Sequence, residues 1–320
     1  MTEGEPKRFP PKGRRDAVAA FGWMDVQLLL LVVIWGANFA IVKSALSEIT
    51  PMAFNALRFA GGSLLTLALA WIVERNLSIA RKDWGAVLGV GLLSGFVYQV
   101  LFIQGQARTQ AGNSSLILST VPVFVALIGT GLRTERLRGH NWIGIGLSFA
   151  GIVLLVSRRG GMEYLSGGAS AIGLSGRTFL GDLLVLGCTV TWSAYTVLSR
   201  PLMQRYSALS LTAWMMAAST PPLVLIAIPE LRAMRWGSIS TQSWIGLLYS
   251  AVLAIAVGYV IWNMGVKQLG GTRTAAYKYL TPVVTVVVSR LFFGETMQPL
   301  QALGALGILL GVALARSQQP

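Results

Sequence analysis

The chain is short of the residues that do most enzyme and metal chemistry. Its one cysteine, Cys188, lies in an apolar run, so no intrachain disulfide can form. Its one histidine, His140, sits in a basic loop, which leaves no metal cluster and no nucleophile paired with an imidazole. No G-x-x-x-x-G-K-[ST] run supports a nucleotide-driven pump. We therefore expect no enzyme activity, no cofactor and no metal. Charge is scarce altogether: 12% of the 320 residues are Asp, Glu, Lys or Arg, where a soluble domain carries about 25%. The acids are the scarcest. All twelve fall in tails, loops or the ends of apolar runs, and none lies in the middle of one.

What is abundant is apolar: 54% of the residues, with a mean hydropathy of +0.63. They form ten runs, at 24–45, 53–73, 84–105, 113–132, 141–157, 180–199, 208–228, 244–266, 274–293 and 299–315. Most have the length of roughly 20 residues needed to cross a hydrocarbon core as a helix. They are continuous rather than alternating, which excludes a β-barrel. The predicted class is an all-α membrane protein of ten transmembrane helices. The net charge of +14 could suggest nucleic acid, but the basic residues lie between apolar runs, where topology and lipid headgroups account for them. Membrane lipids and a small-molecule substrate are the expected partners, not nucleic acid, and a monomer suffices. Residues 1–23 read as a disordered cytoplasmic tail, 158–179 as a Gly/Ser-rich linker and 316–320 as a second tail. With both termini cytoplasmic, sixteen Lys and Arg flank the spans on the inside and eight on the outside, leaving Arg58 and Lys278 within spans.

The two halves, 24–157 and 180–315, resemble each other. A shift of 157 lays Asp25 on Asp182, Trp35-Gly36-Ala37 on Trp192-Ser193-Ala194, and Leu57 on Trp214. A shift of 160 lays Trp84 on Trp244, Gly105 on Gly265, Pro122 on Pro282, Glu135 on Glu295, Gly144 on Gly304 and Gly151 on Gly311. Five spans per half is an odd number, so the second half enters from the opposite face. Inverted repeats of this kind commonly build alternating access around a site near the membrane midplane. Glycines in the short fifth and tenth runs would let those helices approach closely.

Several motifs carry a family resemblance: Trp35-Gly36-Ala37-Asn38, Arg58, Val121-Pro122-Val123-Phe124, Thr281-Pro282-Val283-Val284 and Gly294-Glu295. The chain resembles the drug/metabolite transporter superfamily in its ten-helix branch with two EamA-type halves. Thr134-Glu135 departs from the usual Gly-Glu. Within the superfamily it is most similar to bacterial exporters of amino acids, including aromatic ones. The resemblance implies an exporter in the bacterial inner membrane, with a cavity lined by helices 1–4 and 6–9 and with helices 5 and 10 at the periphery. The rival readings are a multidrug exporter of cationic compounds, which should carry a buried carboxylate, and a membrane receptor or assembly factor.

Candidate binding residues follow from helical spacing. Trp35, Asn38 and Phe39 share a face of the first helix, and Trp192 and Tyr195 a face of the sixth. Tyr98, Gln99 and Phe102 fall on adjacent turns of the third, as do Tyr259, Trp262 and Asn263 of the eighth; Trp214 joins them as the mate of Leu57. Amides suit a substrate carboxylate and rings its ammonium. The competing reading is that such aromatics merely pack, and Trp84, Trp142, Trp236 and Trp244, near run ends, read as headgroup anchors. Arg58 and Lys278 are the cations available to a carboxylate, unless they snorkel to the interface. Pro122 and Pro282, in mid-run, read as hinges; Glu135 and Glu295 as ties between loops and helix ends. With no acid in mid-run to relay protons or hold sodium, transport is expected to be facilitative. A pH gradient imposed on liposomes should not accumulate substrate uphill; concentrative uptake would show ion coupling.

Overall fold

The computed structural model describes residues 21–75, 77–132, 139, 142–151, 172–294 and 299–316. Glu135, Glu295, His140, most of the predicted linker and both predicted tails lie largely or wholly outside them. The described residues form helices and turns, with no strand among them. That follows from the solvent, because in hydrocarbon each backbone N–H and C=O must find its partner within the segment.

Among the described residues seven helices are long and apolar enough to span a membrane: α1 (Trp23–Ala45), α2 (Pro51–Glu74), α3 (Arg81–Arg108), α4 (Ala111–Gly131), α6 (Ile172–Arg205, from Thr178 onward), α7 (Ala208–Ala233) and α8 (Thr241–Leu269). The others are shorter: α5 (Trp142–Gly151), α9 (Gly271–Ala276), α10 (Thr281–Phe293) and α11 (Pro299–Arg316). Large apolar side chains such as Leu64, Trp71, Leu225, Leu291 and Phe292 point outward and are well exposed, as a lipid-facing surface requires. Helix α6 starts at Ile172, inside the stretch read from sequence as linker.

Both halves break their helices at matching places. Helix α3 contains a π-helical segment at Leu92–Val97 and α8 one at Ser250–Val257. Such segments are inserted turns, often found at functional sites. Helix α4 is interrupted at Ser119–Thr120, and a 3-10 turn, Tyr277–Leu280, separates α9 from α10. Pro122 and Pro282 each occupy the first turn after the break. They do not remove a hydrogen bond from mid-helix, as the sequence reading supposed. They open a new helical segment, where their missing N–H is one that would be unpaired anyway.

The contacts between halves are reciprocal. Glu74, at the C-terminal end of α2, accepts hydrogen bonds from Ser207 and Ser210 at the start of α7. Glu230, near the C-terminal end of α7, accepts from the backbone N–H groups of Met52 (2.8 Å) and Ala53 (3.1 Å) at the start of α2. The two helices are therefore antiparallel, and each carboxylate lies at the positive end of the other: Glu230 caps α2 directly, and Glu74 bonds the hydroxyl of Ser207, which caps α7. Helices α5 and α11 meet in the same way. A Cβ on Gly151 would lie 2.7 Å from the Gly304 carbonyl, and one on Gly311 2.6 Å from the Gly144 carbonyl. Gln99 and Tyr259, equivalent positions in the two halves, bond directly at 2.9 Å.

Close backbone approach gives a stability test. A Cβ on Gly91 of α3 would stand 2.8 Å from the Met215 carbonyl and 2.9 Å from its Cα, whereas Gly89, two residues away, has open space. Gly91→Val should lower the melting temperature in detergent by several degrees, for an overpacking cost of about 1–3 kcal/mol. Gly89→Val should leave it nearly unchanged. Equal melting of the two variants would refute the tight α3–α7 contact.

Candidate functional site

Where α1, α2, α3, α4, α6, α8 and α10 converge, they enclose a cavity lined by aromatic, amide and cationic side chains. Its free volume is about 40 Å³. That holds a few waters at most, since one needs about 10–15 Å³ by the same measure. An amino acid enters only if the lining moves.

Lys278 lies on the 3-10 turn between α9 and α10 and is 7% exposed. Its Nζ stands over three indole rings, 4.6 Å from Trp35, 4.8 Å from Trp192 and 5.3 Å from Trp262. The rings also pack on one another, with centroids 5.3–5.5 Å apart. This is a cation–π cage, supplied by α1, α6 and α8. Among the described residues Lys278 has no carboxylate and no hydrogen-bond acceptor. The position therefore does not snorkel; a break in the helix turns it inward.

Arg58, on α2, is 1% exposed and differently placed. Its Nε and Nη2 donate to Asn55 Oδ1 (3.1 and 3.0 Å), Nη2 to Gln99 Oε1 (2.7 Å) and Nη1 to Ser250 Oγ (3.1 Å). Its guanidinium also lies 5.1 Å from the Phe102 centroid and 5.5 Å from Phe54. Gln99 in turn donates to the Tyr259 hydroxyl, which donates to the Ser94 carbonyl at 3.1 Å. Arg58 thus ties α2, α3 and α8 through neutral acceptors.

The π segments explain which carbonyls are on offer. Ser94 lies in one and its repeat mate Ala254 in the other. Ser94 accepts from Tyr259, and Ala254 accepts from the Trp35 indole at 2.9 Å. The Trp192 indole, equivalent to Trp35, has no partner, and neither do Asn38 Oδ1 and Thr281 Oγ1. All three residues line the cavity.

Of the residues singled out from sequence, Trp35, Asn38, Phe39, Arg58, Tyr98, Gln99, Phe102, Trp192, Tyr259 and Lys278 line this cavity. Tyr98 packs 4.6 Å from Trp192 and 5.9 Å from Phe102, and Phe39 lies 5.8 Å from Phe102. Trp262, Tyr195 and Asn263 stand one layer behind: Tyr195 donates to Asn263, whose amide donates to Thr212 at 2.7 Å. Trp214 is elsewhere. It packs edge-on to Trp84, and its indole donates to the Leu77 carbonyl at 2.7 Å. Sequence reasoning passed over Ser115, Leu118, Ser119, Ala254, Ile255 and Thr281 in the lining, and Asn55 and Ser250 around Arg58.

Among the described residues no acid lines the cavity. The six described carboxylates, Asp83 at the start of α3 included, all join one half to the other. Asp25 accepts from Arg273 (2.9 Å) and Tyr277, Asp182 from Thr109, and Asp83 from Arg205 (2.8 Å) and Tyr206 (2.6 Å). Glu48 accepts from the Ser240 amide at 2.7 Å, and these Ser240 hydrogen bonds hold its carboxyl below the usual range. With Glu74 and Glu230, these ties lie near helix ends.

The sequence profile of the EamA-like transporter family matches the chain twice, at residues 22–157 and 179–317. The chain belongs to that family, and it is a multi-pass membrane transporter, not an enzyme. It is 28% identical to an Escherichia coli (strain K12) protein named "Probable amino-acid metabolite efflux pump", over 93% of this chain and 94% of that one. It is 26% identical to a Streptantibioticus cattleyicolor "Probable terminal-alkyne amino-acid exporter", over 88% and 89%. An "Uncharacterized transporter" of Archaeoglobus fulgidus is 30% identical over 91% and 96%. A solved crystal structure matches with a TM-score of 0.65 at 19% identity, covering 92% of this chain and 96% of its own, and shows the same fold.

Arg58→Met should destabilise the protein, because it strips the donors from Asn55, Gln99 and Ser250 at a cost of about 1–3 kcal/mol for each buried group left unpaired. The expected result in detergent is a melting temperature several degrees lower. An unchanged value would show that this network contributes nothing to the fold.

Proposed function

We propose that the protein exports amino acids, aromatic ones among them, and related metabolites across the bacterial inner membrane by facilitative alternating access. The observation that carries this reading is a small cavity between the halves, lined by rings, amides and two buried cations. Aromatic walls suit a variable apolar side chain, and cations with N–H and O–H donors suit a carboxylate. The names of the Escherichia coli and Streptantibioticus relatives agree with such a substrate.

Alternating access follows from the repeat. In this reading ten spans form two inverted five-helix repeats with both termini in the cytoplasm. The antiparallel α2–α7 pair and the reciprocal α5–α11 seam support it. Rocking of one repeat against the other would expose the cavity to each side in turn. The breaks before Pro122 and Pro282 are the proposed hinges, because helices already interrupted there bend without losing further hydrogen bonds. A facilitative mechanism is supported by the placement of the described acids at helix ends. The multidrug reading is weaker, since a cationic drug would enter a cavity that already holds Arg58 and Lys278 and no carboxylate.

The experiment is counterflow. Purified protein in liposomes preloaded with unlabelled phenylalanine, without any ion gradient, should take up external labelled phenylalanine faster than unloaded liposomes. Exchange of cationic dyes with no exchange of amino acids would favour the multidrug reading. No exchange of any solute would favour a receptor or assembly factor.

A further inference from the structure

The cavity contains more provision for a negative group than an amino acid presents, and little for a positive one. Three unused donors line it: the Lys278 ammonium, the Trp192 indole N–H and the Thr281 hydroxyl. Lys278 and Thr281 are three residues apart across the break that turns them inward. Arg58 adds a second charge, held by neutral partners. On the other side, the rings that might have faced a substrate ammonium, Trp35, Trp192 and Trp262, already face Lys278. Among the described residues the acceptors without a partner in the lining are Asn38 Oδ1 and the Thr281 hydroxyl oxygen, and both are neutral.

The charge arithmetic decides between solutes. A buried cation without a counter-ion is costly, and an entering carboxylate relieves that cost. An α-ammonium brought in with it meets no anion, and it is repelled by two cations in a medium of low dielectric. A hydroxyl in its place makes the same hydrogen bond to Asn38 and carries no charge.

We propose that the cavity recognises its solute through the carboxylate, held by Lys278, Trp192 and Thr281, and that it accepts monoanionic 2-hydroxy acids at least as well as the corresponding amino acids while rejecting amines. The proposal rests on the reading of this cavity as the transport site.

Competition in the counterflow assay tests it. Labelled phenylalanine exchange is challenged with the 2-hydroxy acid of the same side chain and with the amine that lacks the carboxylate. The hydroxy acid should inhibit at a concentration equal to or below that of phenylalanine, and the amine should need at least about tenfold more, a difference of about 1.4 kcal/mol. Lys278→Met should weaken inhibition by the hydroxy acid about tenfold or more and Lys278→Arg less, with melting temperatures recorded for both variants. An amine that competes as well as phenylalanine, or a hydroxy acid that does not compete, overturns the proposal while leaving amino-acid export standing. If phenylalanine itself does not exchange, the labelled hydroxy acid is exchanged instead: its exchange upholds this proposal and sinks only the amino-acid reading, and its failure sinks both.

Discussion

Two positive charges are buried at the centre of this protein with no negative charge beside them. Removing an ion from water is expensive, and a fold keeps such an ion only with good partners. Arg58 has its partners in Asn55, Gln99 and Ser250, so its charge is shared among dipoles that tie three helices together. Lys278 has only the faces of three indoles, a weaker arrangement. One cation is therefore built into the scaffold, and the other remains available. The described carboxylates that could have neutralised either are engaged near helix ends, where they tie the two halves together.

Those ties come in related pairs. Glu74 holds Ser207, the cap of α7, and Glu230 caps α2; Asp25 reaches across to Arg273 and Asp182 to Thr109. Glu74, Glu230 and Asp25 each accept more than one hydrogen bond, and Asp25 and Asp182 are buried. The cavity is less symmetric than its frame. Equivalent tryptophans differ, Trp35 bonded to Ala254 and Trp192 unpaired, and Lys278 stands where the first half has Leu118. The frame is symmetric, while the departures from symmetry gather at the cavity.

Much of this was legible in the sequence. Apolar run length located the long helices to within a few residues, because lipid leaves a chain few other ways to satisfy its backbone. The repeat register placed Gln99 opposite Tyr259, and these residues bond across the two halves. Register alone does not say which way a side chain faces: Trp214, matched to Leu57, packs beside Trp84 and away from the cavity lining. Pro122 and Pro282 were seen, but the helical breaks ahead of them were not, since an apolar run reads the same whether its helix is continuous or interrupted. Ser119 and Thr281 were missed for a related reason: small hydroxyl residues are common in membrane helices and bond their own backbone. The cage was half visible. The spacing of its rings suits a substrate ammonium, but the turn at Tyr277–Leu280, which apolar periodicity does not reveal, puts Lys278 in that place.

A cavity that serves as the transport site must open to each side of the membrane in turn. Ser119 lines it and Cys188, the one cysteine, is buried nearby in the core. In a Cys188→Ala background, Ser119→Cys in vesicles of known orientation is exposed to a membrane-impermeant thiol reagent from one side or the other. The account predicts labelling from both sides, slowed by substrate. Labelling from a single side, or labelling that substrate does not slow, would contradict it.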